Sequence, residues 1–229
     1  MYKPCLSIVV PAYNEERTVG QIMDRLHAAC PFAQMIFVDD GSTDRTLQIL
    51  WEKAMPQDSV ITKENGGKGS AVRAGCASAT GTYTMVQDAD LEYSPEEIPA
   101  MIAMAERSNL PVVFGSRRIH DEHKYAHIKF YLGGRLLTGI FNLLYRTRLT
   151  DQPHCYKMVK TEILRTLPLR ENDFRFDAEL AAMLARRKIP IAEFPTSYNP
   201  RTVEEGKKIG WGDWLRAVWV FVRVRWSCR

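Results

Sequence analysis

The 229-residue sequence predicts an α/β fold, a mostly parallel sheet with helices on both faces, and three observations carry that expectation. Short β-branched runs (LSIVV, QMIFV, SVIT, TYTMV, PVVF) alternate with amphipathic segments such as EERTVGQIMDRLHAA and TDRTLQILWEKA, and repeated strand–helix–strand units build parallel sheets. Apolar residues at 45% and charged residues at 25% suit a globular chain and exclude a disordered one. The length suffices for one α/β domain with a large core.

Each strand is justified by its run and by the polar residues that stop it. LSIVV leads into Pro11-Ala12-Tyr13-Asn14-Glu15, QMIFV into Asp39-Asp40-Gly41-Ser42, TYTMV into Asp88-Ala89-Asp90 and PVVF into Gly115-Ser116-Arg117. In a parallel sheet these strand ends share one edge, where ligands of open α/β folds bind. SVIT is followed by a glycine turn, Asn65-Gly66-Gly67-Lys68-Gly69-Ser70, that opens a helix. It is not a P-loop, because position 62 is threonine and Gly69 follows Lys68. Beyond residue 118 come a charged loop (HDEHKYAH), a long apolar helix over 128–145, a strand–helix–strand piece over 155–198 and a terminal helix from 211. His120, His123 and His127 lie in the charged loop with no fourth ligand in sight, which favours a lid over a metal site.

Charge and cysteine usage narrow the class. Of 31 Lys/Arg and 27 Asp/Glu, seven and three fall in residues 201–229, which leaves 24 of each sign in the rest and puts the whole excess of +4 in the tail. That pattern suits an anionic partner near the C-terminus and gives no support for nucleic-acid binding. Five scattered cysteines without a C-x-x-C pair argue against a disulfide framework and a thiolate zinc site. The N-terminus has no signal-peptide pattern, so a cytoplasmic protein is expected.

Two carboxylates one residue apart at the end of a strand, Asp88 and Asp90, repel unless a cation sits between them, and hard oxygen ligands suit Mg²⁺ or Mn²⁺ bridged to phosphates. The alternative is a solvated acidic turn before a helix capped by Ser94. Asp39 and Asp40 could accept hydrogen bonds from a nucleobase or ribose, while Ser42 or Thr43 is expected to cap the next helix. Lys68 sits near phosphate or serves only the turn.

Taken together and in this order, SIVVPAYNEE, FVDDGSTDRT, ENGGKGSAVRAG and MVQDADLEY resemble the family 2 glycosyltransferases, and more narrowly their dolichol-phosphate mannosyltransferase and polyprenyl-phosphate glycosyltransferase branch. The resemblance implies a GT-A catalytic domain over residues 1–210. It implies inverting transfer of a hexose from a nucleotide-sugar, of GDP-mannose or UDP-glucose type, to a polyprenyl phosphate, with Mg²⁺ or Mn²⁺ as cofactor. The implied nucleotide-sugar contacts are Pro11, Tyr13, Glu15, Val38, Asp39, Asp40, Lys68, Asp88, Ala89, Asp90, Arg117, Asp177, Arg201 and Lys207. The metal set is Asp88, Asp90 and Glu92, and the catalytic set Asp90, Arg117 and Asp151. Asp151 lies in TDQPHCYK, where Cys155 stands in a position usually held by glycine. Competing expectations keep the donor chemistry with a soluble saccharide acceptor, or make the chain a non-catalytic binding partner of a membrane protein.

Four of the five tryptophans (Trp211, Trp214, Trp219, Trp226) fall in residues 211–229 among Arg216, Arg223, Arg225 and Arg229. One apolar stripe (Trp211, Trp214, Leu215, Val218, Phe221, Val222) and a second face of Arg216, Trp219, Arg223 and Trp226 suggest a helix lying on a membrane surface, next to a lipid-linked acceptor. The alternative packs its stripe on the domain core. Residues 217–222, the longest uncharged piece there, fall far short of the roughly 20 needed to span a bilayer, so a peripheral protein on the cytoplasmic membrane face is expected.

Overall fold

The computed structural model describes residues 4–119, 128–200 and 211–227. Strands β1 (Leu6–Ala12), β2 (Gln34–Asp39), β3 (Ser59–Thr62), β4 (Tyr83–Val86), β5 (Val112–Ser116), β6 (Lys157–Lys160) and β7 (Ala192–Pro195) form one sheet in the order β3-β2-β1-β4-β6-β5-β7. Every pairing is parallel except those of β6, which runs against both β4 and β5. The strand order reverses between β1 and β4, and a crevice opens beyond the carboxyl ends of strands at such a switch.

Helices α1 (Val19–Ala29), α2 (Thr46–Lys53), α3 (Lys68–Ser78), α4 (Ile98–Arg107), α5 (Ile128–Tyr145), α6 (Thr161–Arg165), α7 (Arg175–Arg186) and α8 (Trp211–Trp226) complete the fold. Side chains alternate across a strand, so β1 feeds two cores at once. Ile8 and Val10 join the larger one with Ile22, Met23 and Leu26 of α1, while Val9 meets Ile36, Val38 and Ala71 on the face that α3 covers. Gly75 permits that approach: a Cβ there would lie 2.4 Å from Val9 Cγ1.

Two local expectations change. The helix after β2 is capped by neither Ser42 nor Thr43. Asp44 accepts the Thr46 N–H at 2.9 Å, while Ser42 accepts the Asn14 N–H at 3.0 Å and so ties the first two strand-end loops together. Burial tends to raise the Asp44 carboxyl, but its bonds from Thr46 and Glu16 outweigh that and lower it. Ser94 precedes a 3-10 turn (Pro95–Glu97), yet its side chain caps nothing there.

The C-terminal helix packs one face on the domain and leaves another exposed. Val220, Phe221 and Val224 are buried, with Trp214, Ala217 and Val218 partly so, against α5 and α7. Leu215 and Val222, expected on the packed stripe, are 63% and 41% exposed, and with Trp219 and Trp226 they form an outward line at i, i+4, i+7 and i+11. Arg223, expected on the outer face, turns inward to Glu171 at 2.7 Å and Glu179 at 3.0 Å. α5 likewise buries Leu137 and Phe141 and exposes Leu132, Leu136 and Leu143. No helix among the described residues is long and apolar enough to cross a membrane. Phe221→Ala is expected to destabilise the protein by roughly 3–5 kcal/mol. Leu215→Ala should cost less than about 0.5 kcal/mol, both measured by urea denaturation.

Candidate active site

The loops at the carboxyl edge hold one another before they hold anything else. Thr43 N–H donates to Asn14 Oδ1 at 2.8 Å and Glu15 N–H to Thr46 Oγ1 at 2.8 Å, so the segments after β1 and β2 move as a unit. Asp39, only 2% exposed, accepts the N–H groups of Gly41 and Ser42 at 3.2 Å each. Asp40, equally buried, accepts from Lys63 Nζ at 2.6 Å and from Gly67 N at 2.7 Å, and thereby braces the glycine turn. Gly67 has φ +90°, and a Cβ there would lie 2.6 Å from the Asn172 carbonyl, so the turn packs directly on the entry to α7. Tyr13 stands out from this edge at 43% exposure.

Asp88, Ala89 and Asp90 lie beyond the end of β4, and a turn does what strand alternation was expected to do. Ala89 is buried while both aspartates reach the surface of the crevice. Asp90 Oδ1 accepts the Glu92 N–H at 3.1 Å, and Leu91 between them takes φ +62°. Lys68, at the start of α3, places Nζ 2.8 Å from Asp88 Oδ1 and 3.1 Å from Asp177 Oδ2 in the first turn of α7. Burial works against the charge on Lys68, but Asp177 and Asp88 outweigh it and hold the ammonium well above its usual range. Lys157 of β6 lies 3.7 Å from Asp177 and donates to the His154 carbonyl. Its burial lowers its pKa in spite of Asp177.

Arg117 and Asp151 meet as a fork. Nε and Nη2 of Arg117 donate to the Asp151 carboxylate at 2.7 and 2.9 Å, its backbone N–H adds a third bond at 3.1 Å, and the Tyr198 ring covers the guanidinium at 4.8 Å. Asp151 is fully buried. Burial pushes its carboxyl up, but Arg117 dominates and holds it well below the usual carboxylate range. An acid so stabilised as its anion is a poor proton acceptor, and its bonds fit Asp151 to orienting Arg117. The side chains of Val38 and Ala89 lie in the core. Pro11, next to last in β1, is partly exposed, and Glu15 accepts the Thr18 hydroxyl at 2.8 Å. Glu92 turns its carboxylate to the Tyr198 hydroxyl at 3.1 Å. Arg201 and Lys207, with the three loop histidines, lie outside the described residues.

Sequence reasoning missed His154, Lys157, Tyr93 and Tyr198. His154 Nδ1 accepts the Tyr156 N–H at 2.9 Å, which leaves Nε2 to donate to Thr196 at 2.7 Å, and burial keeps the ring neutral by lowering its pKa. Gly115 makes room for it, because a Cβ there would lie 2.5 Å from the imidazole. Tyr93 contacts His154, Tyr156 and Tyr198 with ring centroids 4.6–5.3 Å apart. A lysine beginning the run KMVK was the one readable signal among them.

A mostly parallel sheet with acidic strand ends, a braced glycine turn and two buried cation–carboxylate clusters at the switch point is an architecture of the GT-A type. The Glycosyl transferase family 2 profile matches residues 7–167, and the chain belongs to that family. An undecaprenyl-phosphate 4-deoxy-4-formamido-L-arabinose transferase of Pseudomonas fluorescens is 40% identical over 146 residues, 59% of this chain and 43% of that protein. Dodecaprenyl-phosphate galacturonate synthase of Rhizobium johnstonii is 31% identical over 184 residues, 75% of this chain and 52% of that one. The chain thus spans about half the length of these relatives. Glucosyl-3-phosphoglycerate synthase of Mycobacterium tuberculosis, solved with Mn²⁺, UDP-glucose and phosphoglyceric acid, shares the fold with a TM-score of 0.72 at 18% identity, over 96% of this chain and 79% of that one.

Removing the Asp151 charge strands a buried guanidinium, so Asp151→Asn is expected to cost about 3–5 kcal/mol of unfolding free energy. Because the folded-state pKa is depressed, the pair's contribution is fully present above the ordinary carboxylate pKa of about 4 and fades as pH falls toward the lower folded value. Acid unfolding monitored by circular dichroism should therefore begin at higher pH in the variant if other carboxylates are unchanged.

Proposed function

We propose that the protein transfers a sugar from a nucleotide-sugar to a polyprenyl phosphate, with a divalent ion held by Asp88 and Asp90, while α5 and α8 rest on the cytoplasmic face of a membrane. The observation that carries the chemistry is the pair Asp88 and Asp90 at the switch point beside the Lys68–Asp177 cluster. The lipid acceptor follows the names of the relatives, which act on undecaprenyl and dodecaprenyl phosphates.

The donor set suits Mg²⁺ or Mn²⁺, which are commonly held by one or two carboxylates plus substrate phosphates. Among the described residues no group of three or more acidic, histidine or cysteine side chains gathers to hold an ion by itself, and Glu92 is engaged by Tyr198. The diphosphate is therefore part of the binding site. When bound, the ion neutralises charge on the departing nucleoside diphosphate. Lys68 supplies a fixed cation beside it, and Asp151 keeps Arg117 in one orientation at the end of β5. Tyr13 offers an exposed ring to the nucleoside, while Asp39 and Asp40 act through the loops they brace. A phosphate acceptor is ionised near neutral pH, so the chemistry needs no strong base, in keeping with the state of Asp151.

Calorimetry should give weak Mn²⁺ binding alone and much tighter binding with GDP or UDP. Asp88→Asn or Asp90→Asn should lower turnover roughly 10²–10³-fold with the melting temperature little changed; full activity in excess chelator would refute the metal role. Product labelled from the sugar should partition into organic solvent with the lipid, and a water-soluble product would favour a saccharide acceptor. The paired change Leu136→Gln and Trp219→Gln, both on exposed stripes, should cut binding to lipid vesicles while leaving nucleotide binding intact.

A further inference from the structure

At the C-terminal end of α5 lies a cavity of about 330 Å³, between the C-termini of α5 and α7 and the approach to β7. Leu149, Ile189 and Ile191 give it apolar walls, and Arg146, Arg148 and Lys188 stand exposed around it. The side chains of these three cations make no hydrogen bond or ion pair with any described residue. Arg146 and Lys188 have φ +56°. That left-handed conformation usually follows a helix with glycine or asparagine, so both positions carry a charged side chain where none is required by the backbone. Glu193 is the one carboxylate among the lining residues, and it already accepts the Thr150 and Asp151 N–H groups at 2.9 and 3.2 Å. Arg225 of α8 donates to the Leu144 carbonyl at 3.1 Å beside the same opening.

Position decides what anion fits. α5 has 18 residues, about 27 Å of helix. Its middle lies against Arg118, which bonds Thr138 at 3.4 Å next to the Arg117–Asp151 pair, and its last turn forms the cavity wall. The exposed line Leu132, Leu136 and Leu143 runs between the two ends, and Leu143, 81% exposed, is one turn before Arg146. An anionic group with an apolar attachment meets both the cations and that line.

We propose that this cavity binds the phosphate-bearing headgroup of an anionic membrane lipid. Basic pockets beside membrane-facing helices take such headgroups. The site would anchor the C-terminal end of α5, next to the loop that carries Asp151, so that the catalytic edge stays against the bilayer. The proposal rests on the membrane-surface reading above and adds a defined lipid site to it.

The test compares co-sedimentation of the full chain with phosphatidylcholine vesicles and with vesicles containing phosphatidylglycerol. The variant carries Arg146→Asn, Arg148→Gln and Lys188→Asn, with asparagine chosen because it tolerates the left-handed backbone. A control of equal charge loss carries Lys53→Gln, Arg107→Gln and Lys160→Gln, all remote from the cavity. The expected result is at least about tenfold weaker binding to anionic vesicles for the cavity variant, no change on phosphatidylcholine, and a small effect of the control. Equal losses in variant and control would overturn the site in favour of diffuse charge attraction. Inorganic phosphate that binds the cavity while the variant still sediments like the native chain would also overturn it, as a soluble-anion site. A native chain that ignores both vesicles at low salt removes the membrane reading itself, whereas native binding with an indifferent cavity variant removes only this inference. Melting curves of all three proteins separate binding loss from unfolding.

Discussion

A buried charge is tolerated only where a partner of opposite sign is fixed beside it, and the carboxyl edge of this sheet is organised around that constraint. Arg117 is matched to Asp151, Lys68 to Asp88 and Asp177, and Lys63 to Asp40. Each pair joins residues distant in sequence, by 34, 20, 109 and 23 positions respectively. These charges hold the loops of the edge in register. Neutralising Asp151 strands Arg117 in low dielectric, whereas neutralising Asp88 leaves Lys68 with Asp177.

The antiparallel strand makes this possible. A parallel β6 would present its carboxyl end at the edge and send its N-terminal residues to the opposite side of the molecule. Running against β4 and β5, it brings its start to the edge instead, so His154, Cys155, Tyr156 and Lys157 arrive beside the residues that follow β4 and β5. Gln87 accepts the Tyr156 hydroxyl at 2.5 Å, and Lys68 Nζ lies 3.8 Å from Cys155 Sγ.

The parallel part of the sheet was legible in the sequence because each of its strands is a β-branched run ended by polar residues, and the four strand-end motifs fell on one edge as their order implied. β6 could be placed as a strand but not oriented, since orientation depends on pairing with β4 and β5 and leaves no periodicity of its own. The spacing of Asp88 and Asp90 could be read directly. The bonds of Asp40 and Asp151 could not: only three-dimensional packing brings Gly66 and Gly67 to the first and Arg117 to the second. Tyr198 and His154 carry no motif that pattern reading could detect, because they act through contacts more than 40 residues away, to Glu92 and Thr196.

The terminal helix illustrates how one sequence can satisfy two solvents. With 3.6 residues per turn, a sixteen-residue helix offers room for two apolar stripes about 120° apart, and α8 fills both. Its inner stripe cannot be given up, because Phe221 packs against Phe141 at 5.0 Å and its carbonyl receives the Tyr145 hydroxyl at 2.8 Å. Its outer stripe has no such role inside the molecule: Leu215 and Trp226 remain more than 60% exposed. Burying an indole is worth more to stability than leaving it in water, so an exposed line of large apolar side chains represents stabilisation withheld from the fold and available to a surface. Arg223 is fixed between the two, held by Glu171 and Glu179 on the inside while the Trp219 ring lies over its guanidinium at 4.9 Å. The outer stripe is therefore presented on a helix anchored to α7, whose first turn carries Asp177.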